Sequence, residues 1–388
     1  GVVTKAQVGF FKLSNAWNDP TTLVKPYSLE TEVVKTDLEY GVKINQFPVL
    51  RSDVSTQNNA PIDFLMIANV EARSLPEEDL VIDFDCYIRE ANGKQFKGNT
   101  EPPIKIIQKG ENFERFNVAC LISDYSNFDT KLTSRTVVFN AKYNFASQSW
   151  FRAYFIDEGK FREILEIGKN PFAYNKIEDP LLKGGIIKSQ STNGPVTFAV
   201  GTADFQTQPF VESENNIYRI VVLLSNNFVG LGNLRQIDDI TLYVPNAVEL
   251  VIGEDKQCDF EQTGQSISIG DGKFSTYKLI ESQKRKANAD CNLLVSNEAR
   301  DCVDDKNELT YTCGFKINEI SENADMFYSE FASRSDYVYE VKKLYAITIR
   351  NRQDNEIGCT ALAENGCVTN PSCVVNYRDG QFESCGFC

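Results

Sequence analysis

The amino-acid sequence predicts an all-β protein built from two sandwich domains. Short runs in which apolar and polar side chains alternate recur along most of the chain, and turn residues separate them. The apolar content is 42%, with 26 Phe and 16 Tyr, so the 388 residues suffice to bury cores of normal size. Helical spacing of apolar residues stands out only in residues 158–182. We therefore expect packed sheets with very little helix.

The chain is expected to begin with an extended arm at residues 1–37. Turn-rich sequence such as Asn18-Asp19-Pro20 makes up much of this arm. It also contains one strand-like run, whose apolar residues are Val8, Phe10, Phe11 and Leu13. A run of this kind is suited to cover a sheet edge of its own domain or of a neighbouring chain.

Residues 38–157 are predicted to form an immunoglobulin-like sandwich. The clearest strand has Val137, Phe139 and Ala141 on one face, with Val138 and Asn140 on the other. Seven short alternating strands within about 120 residues are typical of such a sandwich. The predicted strands are residues 38–47, 62–70, 79–89, 103–108, 115–122, 135–145 and 149–156.

A second β-sandwich is predicted for residues 183–352, after a linker with a short helix at residues 158–182. A long polar insertion interrupts it at residues 253–307, and a cysteine-rich tail follows at residues 353–388. The run 217–224 is apolar on both faces except for Arg219, which favours a central strand. The predicted strands are residues 196–201, 217–225, 238–244, 248–252, 274–280, 308–317 and 337–350.

Two asparagines mark similar points in the two halves. Asn69 ends a strand that is followed by a turn and a further strand, and Asn226 does the same in the second half. Together with the strand rhythm, this pattern resembles the immunoglobulin-like repeats of microbial surface proteins, including the cell-adhesion-related repeats of bacteria and archaea. The resemblance covers residues 62–156 and 196–350. It implies extracellular display and assembly, with no catalytic residues.

Eleven cysteines are the candidates for disulfide bonds. Alternation places Cys86 and Cys120 on the apolar faces of their strands, so a disulfide between them is expected in an oxidising compartment, with two buried free thiols as the alternative. An odd number leaves one thiol free or bonded to another chain. The candidates are Cys86, Cys120, Cys258, Cys291, Cys302, Cys313, Cys359, Cys367, Cys373, Cys385 and Cys388.

The tail contains five of these cysteines in a short, polar segment. Such a segment needs cross-links because it has too few aliphatic residues for a core of its own. Disulfides are the first interpretation, and a zinc site made of thiolates is the alternative, because Cys385 and Cys388 have a suitable two-residue gap. A redox dithiol is a poorer interpretation, since no βαβ pattern precedes that pair.

The absence of histidine from the whole sequence excludes large classes of enzyme. Ser–His and Cys–His nucleophiles, histidine bases and histidine metal sites all require that side chain. Enzymes that use only carboxylates stay open. The acidic cluster at residues 301–308 is interpreted as a solvated turn, with a calcium site as the alternative. No catalytic residue, metal or cofactor is therefore expected, and the net charge of −14 argues against nucleic acid as a partner.

Several observations favour an extracellular prokaryotic protein. The chain begins at Gly1 rather than methionine, which is interpreted as removal of a signal peptide. No glycosylation acceptor of the Asn-x-Ser/Thr type occurs, since Asn370-Pro371-Ser372 is blocked by its proline. No apolar run is long enough for a membrane span.

The function expected from the sequence is that of a structural subunit of a surface layer or filament. Its partners would be copies of itself or another surface protein, joined by β-strand addition through the arm. A monomeric adhesin that binds glycan or protein is the alternative, and a carboxylate-dependent hydrolase or a protease inhibitor is a third class.

Overall fold

A computed structural model of the chain describes most residues between 40 and 351 and a hairpin near the end. The described residues are 40–45, 53–56, 64–90, 93–110, 112–122, 134–179, 182–183, 186–187, 189–202, 208–213, 216–226, 232–252, 258–269, 272–292, 309–318, 326–351, 373–378 and 381–387.

Strands make up most of the described first half. They are β1 (Gly41–Ile44), β2 (Asp53–Thr56), β3 (Phe64–Arg73), β4 (Leu80–Arg89), β5 (Gln95–Lys97), β6 (Asn99–Glu101), β7 (Ile104–Ile107), β8 (Phe113–Ile122) and β9 (Ser134–Asp157). Two helices follow, α1 (Glu158–Glu166) and α2 (Pro171–Tyr174). They occupy the predicted linker, and each begins at a capping side chain, Asp157 for α1 and Asn170 for α2.

The second half is also built of strands, with one further helix. Its first strands are β10 (Leu182–Lys183), β11 (Ile186–Ile187), β12 (Gln190–Ser191), β13 (Val196–Thr202), β14 (Phe210–Glu212), β15 (Tyr218–Asn226), β16 (Gly232–Pro245) and β17 (Val248–Val251). They are followed by β18 (Phe260–Ile269), β19 (Gly272–Leu279), α3 (Glu281–Asn292), β20 (Leu309–Ile317), β21 (Phe327–Asn351), β22 (Cys373–Arg378) and β23 (Gln381–Phe387). The all-β prediction is confirmed. None of the helices in these described ranges is long and apolar enough to cross a membrane.

Two very long strands, β9 and β21, form the centre of the molecule. They pair antiparallel without a register shift, from Ser134 opposite Thr348 to Phe155 opposite Phe327. The prediction of separate strands at 135–145 and 149–156 was therefore wrong. The break was predicted at residues 146–148, but Ser147 lies buried on the inner face of β9, where it bonds the Tyr337 hydroxyl.

One face of this central pair is buried along most of its length. The odd-numbered residues of β9 from Val137 to Phe155 are buried, as are those of β21 from Phe331 to Val341. Two four-stranded sheets supply further apolar side chains, and all of them belong to one continuous core. The first small sheet has the order β1-β3-β8-β6, and the second has the order β13-β15-β20-β17.

The two halves repeat one order of strand pairing. In the first half, β3 pairs with β1 and β8, while β4 pairs with β9. In the second half, β15 pairs with β13 and β20, while β16 pairs with β21. The prediction that the apolar run at 217–224 forms a central strand is confirmed, because β15 has partners on both sides. Strand β6 in the first half corresponds to β17 in the second. Strand β6 pairs with β8 on the side away from β3, and β17 pairs with β20 on the side away from β15.

Short parallel strands show that each half uses the long strand of the other. Strand β2 of the first half pairs parallel with the end of β21 at Thr348–Asn351. Strand β14 of the second half pairs parallel with the end of β9 at Phe155–Asp157. The C-terminal end of each long strand thus completes the sheet of the opposite half.

The predicted insertion at residues 253–307 is in part an extension of the large sheet that contains β9 and β21. This sheet has the order β18-β19-β16-β21-β9-β4-β5. The β18–β19 hairpin joins this sheet through β19, which pairs with β16. Helix α3 lies beside β16, because the Asn288 side chain bonds both backbone groups of Ile237, at 2.8 and 2.9 Å. A segment that is polar in sequence is therefore well connected to the core.

Candidate functional site

The outer edge of β8 in the first small sheet is the candidate site. On one side β8 pairs with β3 over its whole length. On the other side β6 pairs only with Ala119, Cys120 and Leu121. Within the described ranges, residues 113–118 of β8 have no strand partner on that side. As far as the described residues show, alternate residues of this stretch point their backbone N–H and C=O groups to the open side of an edge strand.

The short length of β6 has a local cause in the sequence. Glu101 ends β6, and Pro102 and Pro103 follow it. Proline lacks the backbone N–H that a ladder requires, so the chain leaves the edge of β8 at this point. It crosses to the large sheet, where the Pro103 carbonyl accepts the Phe84 N–H at 2.9 Å and β7 pairs with β4.

A glycine makes the crossing from the large sheet to β6 possible. Gly98 lies between β5, which pairs with β4, and β6, which pairs with β8. A Cβ atom there would lie 2.7 Å from the Cys86 sulfur and 2.8 Å from Ile122. The chain passes this close to the disulfide because residue 98 has no side chain.

The side chains of the open edge alternate between the core and the solvent. Val118 is fully buried, and Phe116 packs edge-to-face on Phe84 of the facing sheet, with ring centroids 6.0 Å apart. Glu114 is the third residue on this inner face. The outward residues are Phe113, Arg115 and Asn117.

A single lysine covers the inner side of this edge. The Lys105 ammonium of β7 lies 2.7 Å from the Glu114 carboxylate and 5.4 Å from the centre of the Phe116 ring. The side chains of Lys105 and Glu114 are 32% and 41% exposed, so water screens their attraction. Inward charges of this kind are a common way to discourage pairing at an edge.

The corresponding edge in the second half is closed over more of its length. Strand β17 pairs with residues 314–317 of β20. The Asp259 carboxylate accepts the Thr312 N–H at 2.7 Å, and the Asp259 N–H donates to the Thr312 carbonyl at 2.9 Å. The disulfide between Cys258 and Cys313 holds this segment in place. Strand β17 and the segment around Asp259 together cover most of the edge from Thr312 to Ile317.

Other edges in the described ranges are less suited to accept an apolar strand that carries a basic residue. Strand β18 is polar along most of its exposed side and has a register shift between Gln262 and Ser266. In β3, residues 64–68 have no strand partner on the side of β1 in the described part of the chain, and this stretch is apolar but contains no acidic residue to pair with a basic one.

The predicted disulfide candidates fall into three groups. The structure contains the predicted bond between Cys86 and Cys120, and it pairs Cys258 with Cys313. Cys291 lies in α3, and Cys373 and Cys385 lie in the β22–β23 hairpin. The remaining candidates, Cys302, Cys359, Cys367 and Cys388, lie outside the described residues. The predicted arm residues Val8, Phe10, Phe11 and Leu13 also lie outside the described residues, and so does the acidic cluster at 301–308.

A buried cluster of charged side chains lies elsewhere and attaches the linker to the sheet. The Arg152 guanidinium lies 3.0 Å from Asp179 and 3.2 Å from Glu330, and the Tyr154 hydroxyl donates to Asp179 at 2.7 Å. Burial raises the pKa of Glu330, and the neighbouring Arg152 lowers it in part. These groups satisfy one another, which is the arrangement of a structural ion cluster.

Comparisons with known proteins show no family. No protein-family model matches the chain, and no curated protein matches it. Among solved structures, a variant of the oxalate decarboxylase of Bacillus subtilis is 9% identical and covers 70% of this chain and 68% of that chain, with a TM-score of 0.08. Another variant of that enzyme is 11% identical and covers 91% and 88%, also with a TM-score of 0.08. A likeness this weak indicates neither a shared fold nor a shared activity.

Proposed function

We propose that this chain is an extracellular structural subunit that assembles with copies of itself into a surface layer or filament. The observation that carries the proposal is the open edge of β8 at residues 113–118, beside a partly apolar inner face. A strand of another chain would satisfy its backbone groups and cover its apolar side chains.

The fold that supports this function is a pair of immunoglobulin-like sandwiches. Each half contributes a four-stranded sheet with the repeated pairing order, and a short strand that runs parallel to the end of the long strand of the opposite half. The ends of β9 and β21 are therefore already paired within the chain, which favours the β8 edge as the acceptor.

The two disulfides support an extracellular location. Disulfides persist in secreted and surface proteins and are rare in the reducing cytosol. They cross-link both halves, through Cys86–Cys120 in the first and Cys258–Cys313 in the second. Durable cross-links are useful to a protein that stays outside the cell for long periods.

Deletion of the N-terminal arm tests this function. The variant that lacks residues 1–20 is expected to fold and to stay monomeric, while the full chain forms polymers in negative-stain micrographs. A variant that lacks only residues 1–6 is the matched control, because it keeps the apolar run, and it should polymerise. A full chain that stays monomeric at all concentrations would contradict the proposal. Saturable binding of that monomer to glycans would favour an adhesin instead.

A further inference from the structure

The open edge of β8 and the apolar run of the arm are complementary in length, polarity and charge. We propose that residues 8–13 of a second copy of this chain pair antiparallel with residues 118–113 of β8, and that Lys12 replaces Lys105 as the partner of Glu114. This inference rests on the proposed function, because it specifies the donor and the register of the same contact.

The direction of the added strand follows from β6. Strand β6 runs antiparallel to β8 and pairs Glu101 with Ala119. A strand that continues this line meets Val118 first and Phe113 last. Six residues in antiparallel pairing span about 20 Å and form about six new backbone hydrogen bonds. The run from Val8 to Leu13 has this length.

The register follows from the side chains that face the core. Among antiparallel registers along the open stretch, the one that starts at Val8 opposite Val118 places an apolar residue opposite each apolar inner residue. It also places a basic residue opposite the only acidic one. The inner pairs are Val8 with Val118, Phe10 with Phe116, and Lys12 with Glu114. The outer pairs are Gly9 with Asn117, Phe11 with Arg115, and Leu13 with Phe113.

Lys105 already makes the contacts that the donor would supply. Its ammonium pairs with Glu114, as the Lys12 ammonium would, and it lies over the Phe116 ring that Phe10 would cover. The partly exposed ion pair is weak, so an added strand with several backbone hydrogen bonds can displace it. In the unassembled subunit Lys105 thus lies over the edge, and an added strand can displace its side chain.

The number of residues between the apolar run and Tyr40 permits the run to contact another molecule. The 26 residues between Leu13 and Tyr40 can span up to about 90 Å when fully extended. This reach exceeds what is needed to cross from one subunit to its neighbour. Pairing of the arm with its own β8 is the alternative that the experiment must separate.

Carbodiimide cross-linking of mixed isotopes tests both the register and the partner. Carbodiimide joins a carboxylate to a nearby amine as an amide. Equal amounts of full-length chain with natural nitrogen and with ¹⁵N are assembled together, cross-linked and digested for mass spectrometry. We expect a Lys12–Glu114 cross-link that contains both isotopes, and a loss of the Lys105–Glu114 cross-link in proportion to the polymerised fraction.

Other cross-linking outcomes would overturn the inference in different ways. A Lys12–Glu114 cross-link that never mixes isotopes would show that the arm binds its own chain. Polymers in which Lys105 stays cross-linked to Glu114 would rule out this register while leaving arm-dependent assembly intact. Polymers that persist without residues 1–20 would rule out assembly through the arm, whereas a full chain that never polymerises would contradict the proposed function itself.

Charge reversal provides a second, independent measurement. K12E should raise the critical concentration for assembly about tenfold, because it places two carboxylates opposite each other. Adding E114K to K12E should restore assembly to within about threefold of the unchanged chain. K5E is the matched control, since Lys5 lies outside the paired run, and it should assemble normally. Equal effects of K12E and K5E, or no rescue in the double variant, would contradict the register.

Discussion

The edges of the two small sheets differ in what keeps them closed. In the second half, the edge of β20 is closed by β17, by Asp259 and by the Cys258–Cys313 disulfide. In the first half, among the described residues, no strand pairs with the outer side of residues 113–118 of β8, and Lys105 lies over the inner side of this edge. A disulfide that closes a loop of this size contributes about 4 kcal/mol, while a partly exposed ion pair contributes about 0.2–1 kcal/mol. Two sheets with the same strand order are therefore protected to very different degrees.

Removal of the Cys258–Cys313 disulfide is expected to have the largest effect on the difference between the two edges. The variant C258A/C313A should lose about 4 kcal/mol of unfolding free energy, because the two cysteines are 55 residues apart in sequence. It should also expose the edge of β20 and increase non-specific association. Denaturant melts and light scattering measure the two effects. The control C86A/C120A should lose a similar free energy, since its cysteines are 34 residues apart, without opening β20.

Loss of the Asp259 carboxylate should open the same edge with a smaller effect. In D259A the Thr312 N–H and the Gln283 amide both lose their acceptor, which should cost about 2–3 kcal/mol. Hydrogen exchange at the Thr312 amide should become faster. Glu261 lies exposed on β18, so E261A is the control and should leave that amide protected. Unchanged exchange in D259A would show that the Asp259 carboxylate is not needed to keep the β20 edge closed at Thr312.

Substitution of Gly98 should lengthen the open edge of the first half. The new methyl group in G98A would lie within van der Waals distance of Cys86, Cys120 and Ile122, and such overpacking costs about 1–3 kcal/mol. We expect β6 to move away from β8, which is measurable as faster hydrogen exchange at Thr100. Gly201 has no atom within 4 Å of its Cβ position, so G201A is the matched control and should cause no such change.

Substitution of Lys105 should have the smallest effect on stability and a clear effect on assembly. K105Q removes an ion pair that is partly exposed at both ends, so the unfolding free energy should change by less than about 1 kcal/mol. The lag time before polymerisation should shorten, because the arm no longer competes with this side chain. K43Q, in β1 on the far side of β3 from the β8 edge, serves as the control. A longer lag in K105Q would show that Lys105 assists assembly.

Local alternation in the sequence predicts the strands better than it predicts their partners. It correctly places Cys86 and Cys120 on inward faces, and the structure joins them. It divides β9 at residues 146–148, because small polar residues such as Ser147 look like a turn when their buried partners are unknown. Those partners include Tyr337, which lies 190 residues away and is not apparent from the local sequence.

The candidate site was only partly within reach of sequence reasoning. The apolar run of the arm is visible in the sequence, but its acceptor depends on where β6 stops. The signal for that stop is Pro102-Pro103, which removes two consecutive N–H groups directly after a strand. The cover by Lys105 depends on a cross-sheet distance, and no sequence pattern contains that distance.

The pairing of β9 with β21 also determines when the large sheet can be completed. The large sheet of the first half includes residues up to Asn351, so a growing chain lacks this strand until nearly all of the described polypeptide has been synthesised. Domains that end early in a sequence can fold on the ribosome, whereas this one must wait. Until then β2 and β9 lack their β21 partner, so an incomplete chain exposes unpaired strand edges, which favour aggregation.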